Sequence, residues 1–369
     1  MILPAFAAGS FRVGFVARAT KTSAAFMPPV SQLVVVLFEL ALALSGAGCI
    51  GWLAFSKRGR AARARPAALS AWDVAVSDFL FLGWFMLSFG FVGQMLLRLF
   101  AGPLSDTASD NRTLQLLLYG TMFHLGAVLT WPVARALARR RHAAASQPPA
   151  PATSETVLQA VRGGSLTFLV AMPLALGTGF LWERFLQAVG LPTERQELVD
   201  LFAQTRSPAL LAFLITLAVV LAPTAEELVF RAGIFRFLRS RPPVAVVFAA
   251  LVLAAVLSLA ITGLHGTPMT VALHLGAAAG VALGAILLAR GRRGREALLQ
   301  PTPRWVAFTV SAGLFAALHG NWVSSLPLFV LGLVFAAAYE RTGRIAVPML
   351  AHALFNLNTL LLVLSGVGG

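Results

Sequence analysis

Two adjacent glutamates stand in an otherwise apolar stretch, Leu221-Ala222-Pro223-Thr224-Ala225-Glu226-Glu227-Leu228-Val229-Phe230-Arg231. On a helix Glu227 and Arg231 are i,i+4 neighbours and can pair, whereas Glu226 projects about 100° away and cannot share that partner equally. The pair is therefore expected to be asymmetric, one carboxylate held by a guanidinium and the other left to gain and lose a proton. Two more polar constellations lie downstream. Phe315-Ala316-Ala317-Leu318-His319 sets a ring and an imidazole on one helix face, and His352-Ala353-Leu354-Phe355-Asn356 does the same for an imidazole and an amide. Together these groups could perform water-dependent acyl chemistry, which needs a base for the water, a carrier for the proton and donors for the developing oxyanion. Each also has a plainer reading. The glutamates could be a solvated helix end, His319 an interfacial residue, and His352 with Asn356 an interhelical packing contact.

The elements that must carry these residues are membrane helices. Of 369 residues 58% are hydrophobic and 12% charged, with a mean hydropathy of +0.81. A soluble domain carries about 25% charged residues. The net charge of +15 does not indicate nucleic acid, because the basic residues come in bursts between apolar runs, as in Lys57-Arg58-Gly59-Arg60, Arg139-Arg140-Arg141 and Arg292-Arg293. Such bursts mark cytoplasmic loops. Cys49 is the only cysteine, which removes intramolecular disulfides and cysteine-based metal clusters from consideration. Two lysines against 27 arginines, in an alanine-rich chain, suggest a GC-rich bacterial genome and thus a bacterial cytoplasmic membrane.

Apolar stretches long enough for spans lie near 30–55, 74–100, 114–134, 164–189, 208–230, 243–263, 270–289, 305–318, 322–339 and 345–365. The expected fold is all-α, a polytopic transmembrane bundle of about ten spans. Residues 1–29 read as a leader, 30–142 as a three-span extension and 143–159, rich in Ala, Pro and Ser, as a linker. The core is 160–365. Leu191–Ser207 reads as an amphipathic helix outside the bilayer, with Glu194, Glu197 and Asp200 on its polar side. With the N-terminus outside, 21 of the 29 Lys and Arg fall on the inner side, the bias that sets orientation. That arrangement puts Glu226 near the inner end of its span and His319 at an outer end. The eighth stretch is only about 21 Å long as a helix, which reduces this conflict without removing it.

The three motifs make the chain resemble the CAAX-protease and bacteriocin-processing (CPBP, or Abi) family of intramembrane glutamic endopeptidases. That family's patterns are Glu-Glu-x-x-x-Arg, Phe-x-x-x-His and His-x-x-x-Asn, met here in order from Glu226 to Asn356. Phe230-Arg231-Ala232-Gly233, Tyr339-Glu340-Arg341-Thr342-Gly343 and Pro348 ahead of His352 also look like the family. The resemblance covers roughly 160–362. It implies that Glu226 with His319 activates water, that His352 and Asn356 polarise the scissile carbonyl, and that Glu227, Arg231 and Phe315 support the motifs. It further implies a peptide or protein substrate at the membrane.

One departure is the spacing. The family places its second motif on the span after the first, yet His319 lies 88 residues beyond Arg231, so 243–289 reads as an inserted helical hairpin. Leu264-His265-Gly266 echoes Leu318-His319-Gly320, but position 261 is Ile where the motif has Phe; His319 is therefore preferred. Older descriptions of the family as metalloproteases raise zinc on Glu226, His319 and His352. No His-Glu-x-x-His helix is present, and paired glutamates with an oxyanion amide suit a metal-free route, so no cofactor is expected. The alternative class is a non-catalytic peptide-binding or immunity-type membrane protein, or a transporter using the same polar cavity. The complete set of catalytic-type residues argues against it.

Overall fold

The computed structural model describes residues 29–101 except 73, 109–144, 157–191, 207–241 and 303–365 except 320, with a few single positions besides. Among them every regular element is helical. We number the helices α1 (Pro29–Phe55), α2 (Lys57–Ala64), α3 (Val76–Ala101), α4 (Ser109–Ala144) and α5 (Val157–Ala188). Then follow α6 (Pro208–Ser240), α7 (Arg304–Ala317), α8 (Trp322–Thr342) and α9 (Ala346–Ser365).

Six of these are long and apolar enough to cross a membrane: Gln32–Phe55, Val76–Leu99, Val157–Ala188, Pro208–Ser240, Trp322–Thr342 and Ala346–Ser365. Their outward faces carry Leu44, Leu99 and Leu181, all more than 60% exposed, as the lipid-facing sides of spans do. The count of about ten spans is thus met by six among the described residues. The stretch at 114–134 lies within the 36-residue α4, whose ends are charged, and 305–318 forms the 14-residue α7. The stretches at 243–263 and 270–289, His265, the leader 1–28 and the segment with Glu194, Glu197 and Asp200 lie outside the described residues.

Helix α6 departs most from the sequence expectation, in which this span ends at 230 with the glutamates at its margin. The helix runs on to Ser240, because Phe235, Phe237 and Leu238 are buried and hold the extra turns against the core. Glu226 therefore lies near mid-helix. The short α7 ends just before His319, so the two can meet without any helix having to shift through the bilayer.

At the centre, α5 packs against α1, α8 and α9. Its Phe168, Ala171, Met172 and Ala175 form one buried cluster with Leu331 and Phe335 of α8 and Ala351 of α9. The α3–α4 pair joins this core through α4, which lies along α6. Leu117 of α4 is buried with Leu214 and Leu217 of α6 and Leu360 of α9. Residues 65–72 cross the end where α6 and α8 finish. There the Leu69 N–H donates to the Glu340 carbonyl (3.0 Å), the Trp72 N–H to Ser240 Oγ (2.8 Å) and the Arg236 guanidinium to Ser70 Oγ (3.0 Å). Gly343 caps α8 at φ +65°, a left-handed conformation that costs a side-chain-bearing residue energy.

Helices α7 and α8 cross closely at Gly332. A Cβ there would lie 2.8 Å from Ala312 Cβ and 2.9 Å from Ala312 Cα, so the two backbones approach through the missing side chain. Gly332→Ala should lower stability by about 1–3 kcal/mol through overpacking. Thermal unfolding in detergent checks this, and an unchanged midpoint would contradict the close crossing.

Candidate active site

Pro223 shapes the local backbone of α6. It has no N–H to give to the preceding turn, and the helix around it widens. Leu217–Leu221 is π-helical, with the Ala222 N–H reaching back to the Leu217 carbonyl. A second π-helical segment, Leu228–Phe235, follows the glutamates. Such segments leave carbonyls open to side chains and recur at functional sites. Two are used here: Asn356 Nδ2 donates to the Ala218 carbonyl (2.8 Å), and Ser311 Oγ donates to the Phe230 carbonyl (2.8 Å). Helices α9 and α7 are thereby registered against the glutamate-bearing turn.

Glu227 and Arg231 are both fully buried, with Arg231 Nη1 3.1 Å from Glu227 Oε1. The same oxygen accepts from His352 Nδ1 at 2.9 Å, and Arg231 Nη2 reaches the Gly332 carbonyl at 3.4 Å. The guanidinium stands over the Phe315 ring, 4.4 Å from its centroid, with Phe335 at 5.4 Å; an aromatic face favours a cation in a dry site. Phe315 also meets the edges of His319 and His352, with ring centroids 4.9 and 5.7 Å apart. Phe335 stacks on His352 at 5.3 Å.

Glu226 projects to the other side, as the 100° step along the helix requires. Its Oε2 lies 4.0 Å from His319 Nε2 and 3.9 Å from His352 Nε2. Its Oε1 lies 3.9 Å from Nε2 of His124, a residue of α4 that sequence reasoning left aside. The signal was present: a histidine within the apolar run Met122-Phe123-His124-Leu125, of the kind that in a membrane marks function by default.

The imidazole tautomers follow from their partners. His319 Nδ1 faces the Phe315 carbonyl at 2.7 Å, His124 Nδ1 faces the Gly120 carbonyl at 3.0 Å, and His352 Nδ1 faces the Glu227 carboxylate. A carbonyl or carboxylate can only accept, so each Nδ1 carries the hydrogen, and in the neutral ring each Nε2 is an acceptor. One of the two carboxylates is neutralised by Arg231. The other, Glu226, sits within reach of three Nε2 atoms. The gaps of 3.9–4.0 Å exceed a direct hydrogen bond, a slack common before substrate tightens a site.

The structure brings Glu226, His319 and His352 together and sets Glu227, Arg231 and Phe315 immediately behind them. Asn356 is one turn from His352; its Nδ2 is tied to Ala218, which leaves one amide hydrogen for another acceptor. Among the described residues no group of three or more His, Cys, Asp or Glu is arranged to hold a metal ion.

The fold and the site together define a helical membrane protein with an acid–base constellation buried inside its bundle. Residues 208–294 and 292–358 match the Rce1-like family of type II CAAX prenyl endopeptidases. In that segment the chain is similar to CAAX-type intramembrane proteases, and its span-length helices make it an integral membrane protein. No curated protein and no solved structure matches the chain. Glu226, His319, His352 and Asn356 all fall within the matched residues, whereas His124 does not.

Proposed function

We propose that the protein is a metal-free intramembrane endopeptidase that hydrolyses a peptide bond near the membrane surface, in a multi-pass bundle of about ten spans in a bacterial cytoplasmic membrane. The observation that carries this reading is the approach of His319 and His352 to the buried Glu226 carboxylate within 4.0 Å, in a segment that matches this family. Glu226 takes a proton from water as the water oxygen bonds to the scissile carbonyl carbon. The oxyanion accepts the remaining amide hydrogen of Asn356 and a hydrogen from His352 Nε2. His352 can donate there only as an imidazolium, because its Nδ1–H is committed to Glu227. As the C–N bond breaks, the proton held by Glu226 passes to the leaving amine through His319. Glu227 and Arg231 hold His352 in place. The substrate is a peptide or membrane protein segment.

The test is cleavage by the purified protein in proteoliposomes, with products identified by mass spectrometry. His319→Ala should abolish detectable turnover. Asn356→Ala should lower kcat by about 100-fold, the usual cost of one oxyanion donor. Dialysis against EDTA should leave the rate unchanged, and a loss reversed by added zinc would overturn the metal-free route. A peptide bound stably and never cut would instead favour the non-catalytic reading.

A further inference from the structure

We propose that His124, on a helix outside the matched family segment, is a positioning residue for the Glu226 base. This proposal rests on the hydrolytic reading above. Three observations carry it. His124 is buried, at 4% exposure, and its Nε2 lies 3.9 Å from Glu226 Oε1, the oxygen opposite the one that faces His319 and His352. Its ring is oriented by the Nδ1–H bond to the Gly120 carbonyl one turn earlier. It also belongs to a buried stripe of α4, with Leu117, Thr121 and Ala127, at the spacing of one helix face. Leu117 seats that stripe against α6.

The chemistry follows from the two oxygens. Oε2 works on the side of His319 and His352, where water and carbonyl must meet. Oε1 faces an imidazole whose Nε2 can hold a hydrogen for the carboxylate or accept one from the carboxylic acid. The Glu226–His124 pair can therefore share one proton through the cycle. Water's proton enters the pair as the C–O bond forms and leaves to the amine nitrogen as the C–N bond breaks, so the pair ends as it began. Among the described residues the titratable groups facing Glu226 are His124 from α4, His319 beyond α7 and His352 from α9, with Glu227 and Arg231 behind it on α6.

The test compares wild type, His124→Ala and His124→Gln in proteoliposomes. A residue that orients a working group typically costs 10–100-fold when lost. For His124→Ala we expect kcat to fall by about that much, with KM within about twofold and the acid limb of the pH–kcat profile displaced. His124→Gln keeps an N–H near the Nε2 position but cannot titrate; it should recover much of the rate and leave the limb displaced. A wedge that merely docks α4 would lower both parameters through instability and leave the limb in place. Wild-type rate and profile in His124→Ala would overturn the proposal. If the wild-type protein cuts nothing, the hydrolytic reading falls, and the pairing is still decided by thermal midpoints of His124→Ala, Glu226→Gln and the double variant. Additive shifts would overturn it, and non-additive shifts would show the two side chains coupled.

Discussion

Glu226→Gln should cut turnover by about 10²–10⁴-fold while leaving the protein as stable as wild type, or more so. The amide is nearly isosteric, cannot take a proton from water, and removes a charge from a site only 4% exposed. General-base catalysis contributes about 10²–10⁴-fold, so kcat should drop by about 3–5 kcal/mol of barrier with little change in KM. Glu227→Gln should instead act first on stability. That carboxylate faces Arg231 at 3.1 Å and His352 at 2.9 Å, so its loss strands a buried guanidinium and destabilises the fold. Steady-state kinetics beside thermal melts in detergent separates the two glutamates. Turnover of Glu226→Gln within tenfold of wild type would refute the assignment of the base.

Arg231→Met should be the most destabilising single substitution at the site. Both members of the Arg231–Glu227 pair are fully buried, and removing one partner of such a pair costs about 3–5 kcal/mol because the other charge is left uncompensated. The bond to the Gly332 carbonyl and the stacking over Phe315 are lost with it. Arg231→Lys keeps the charge but not the planar fork and should recover only part. The double variant Glu227→Gln/Arg231→Met should be more stable than Arg231→Met alone, since no charge is stranded. Chemical denaturation followed by tryptophan fluorescence measures all three. A loss below about 1 kcal/mol for Arg231→Met would mean that the pair is not buried as described.

Much of the site is legible in one dimension because its key relations are local. Glu227 with Arg231 and His352 with Asn356 are i,i+4 pairs, and the divergence of the two glutamates follows from helix geometry alone. Composition likewise determines the solvent of the fold, since so few charges leave no other medium for such helices. The structure decided what depends on packing between distant segments. Glu226 stands at mid-helix because Phe235, Phe237 and Leu238 are buried and carry α6 ten residues past its expected end, a fact that hydropathy near Arg231 and Arg236 conceals. The π-helical turns around Pro223 matter because Asn356 and Ser311, 138 and 81 residues away, cap their carbonyls. His124 joins Glu226 across 102 positions of sequence. A lone histidine has no periodic partner to announce it, and only the seating of α4 on α6 reveals its place. Side-chain pairs within one turn are determined by the chain itself. Convergence of separate helices is decided by which faces the bundle buries, and that follows from all of its contacts at once.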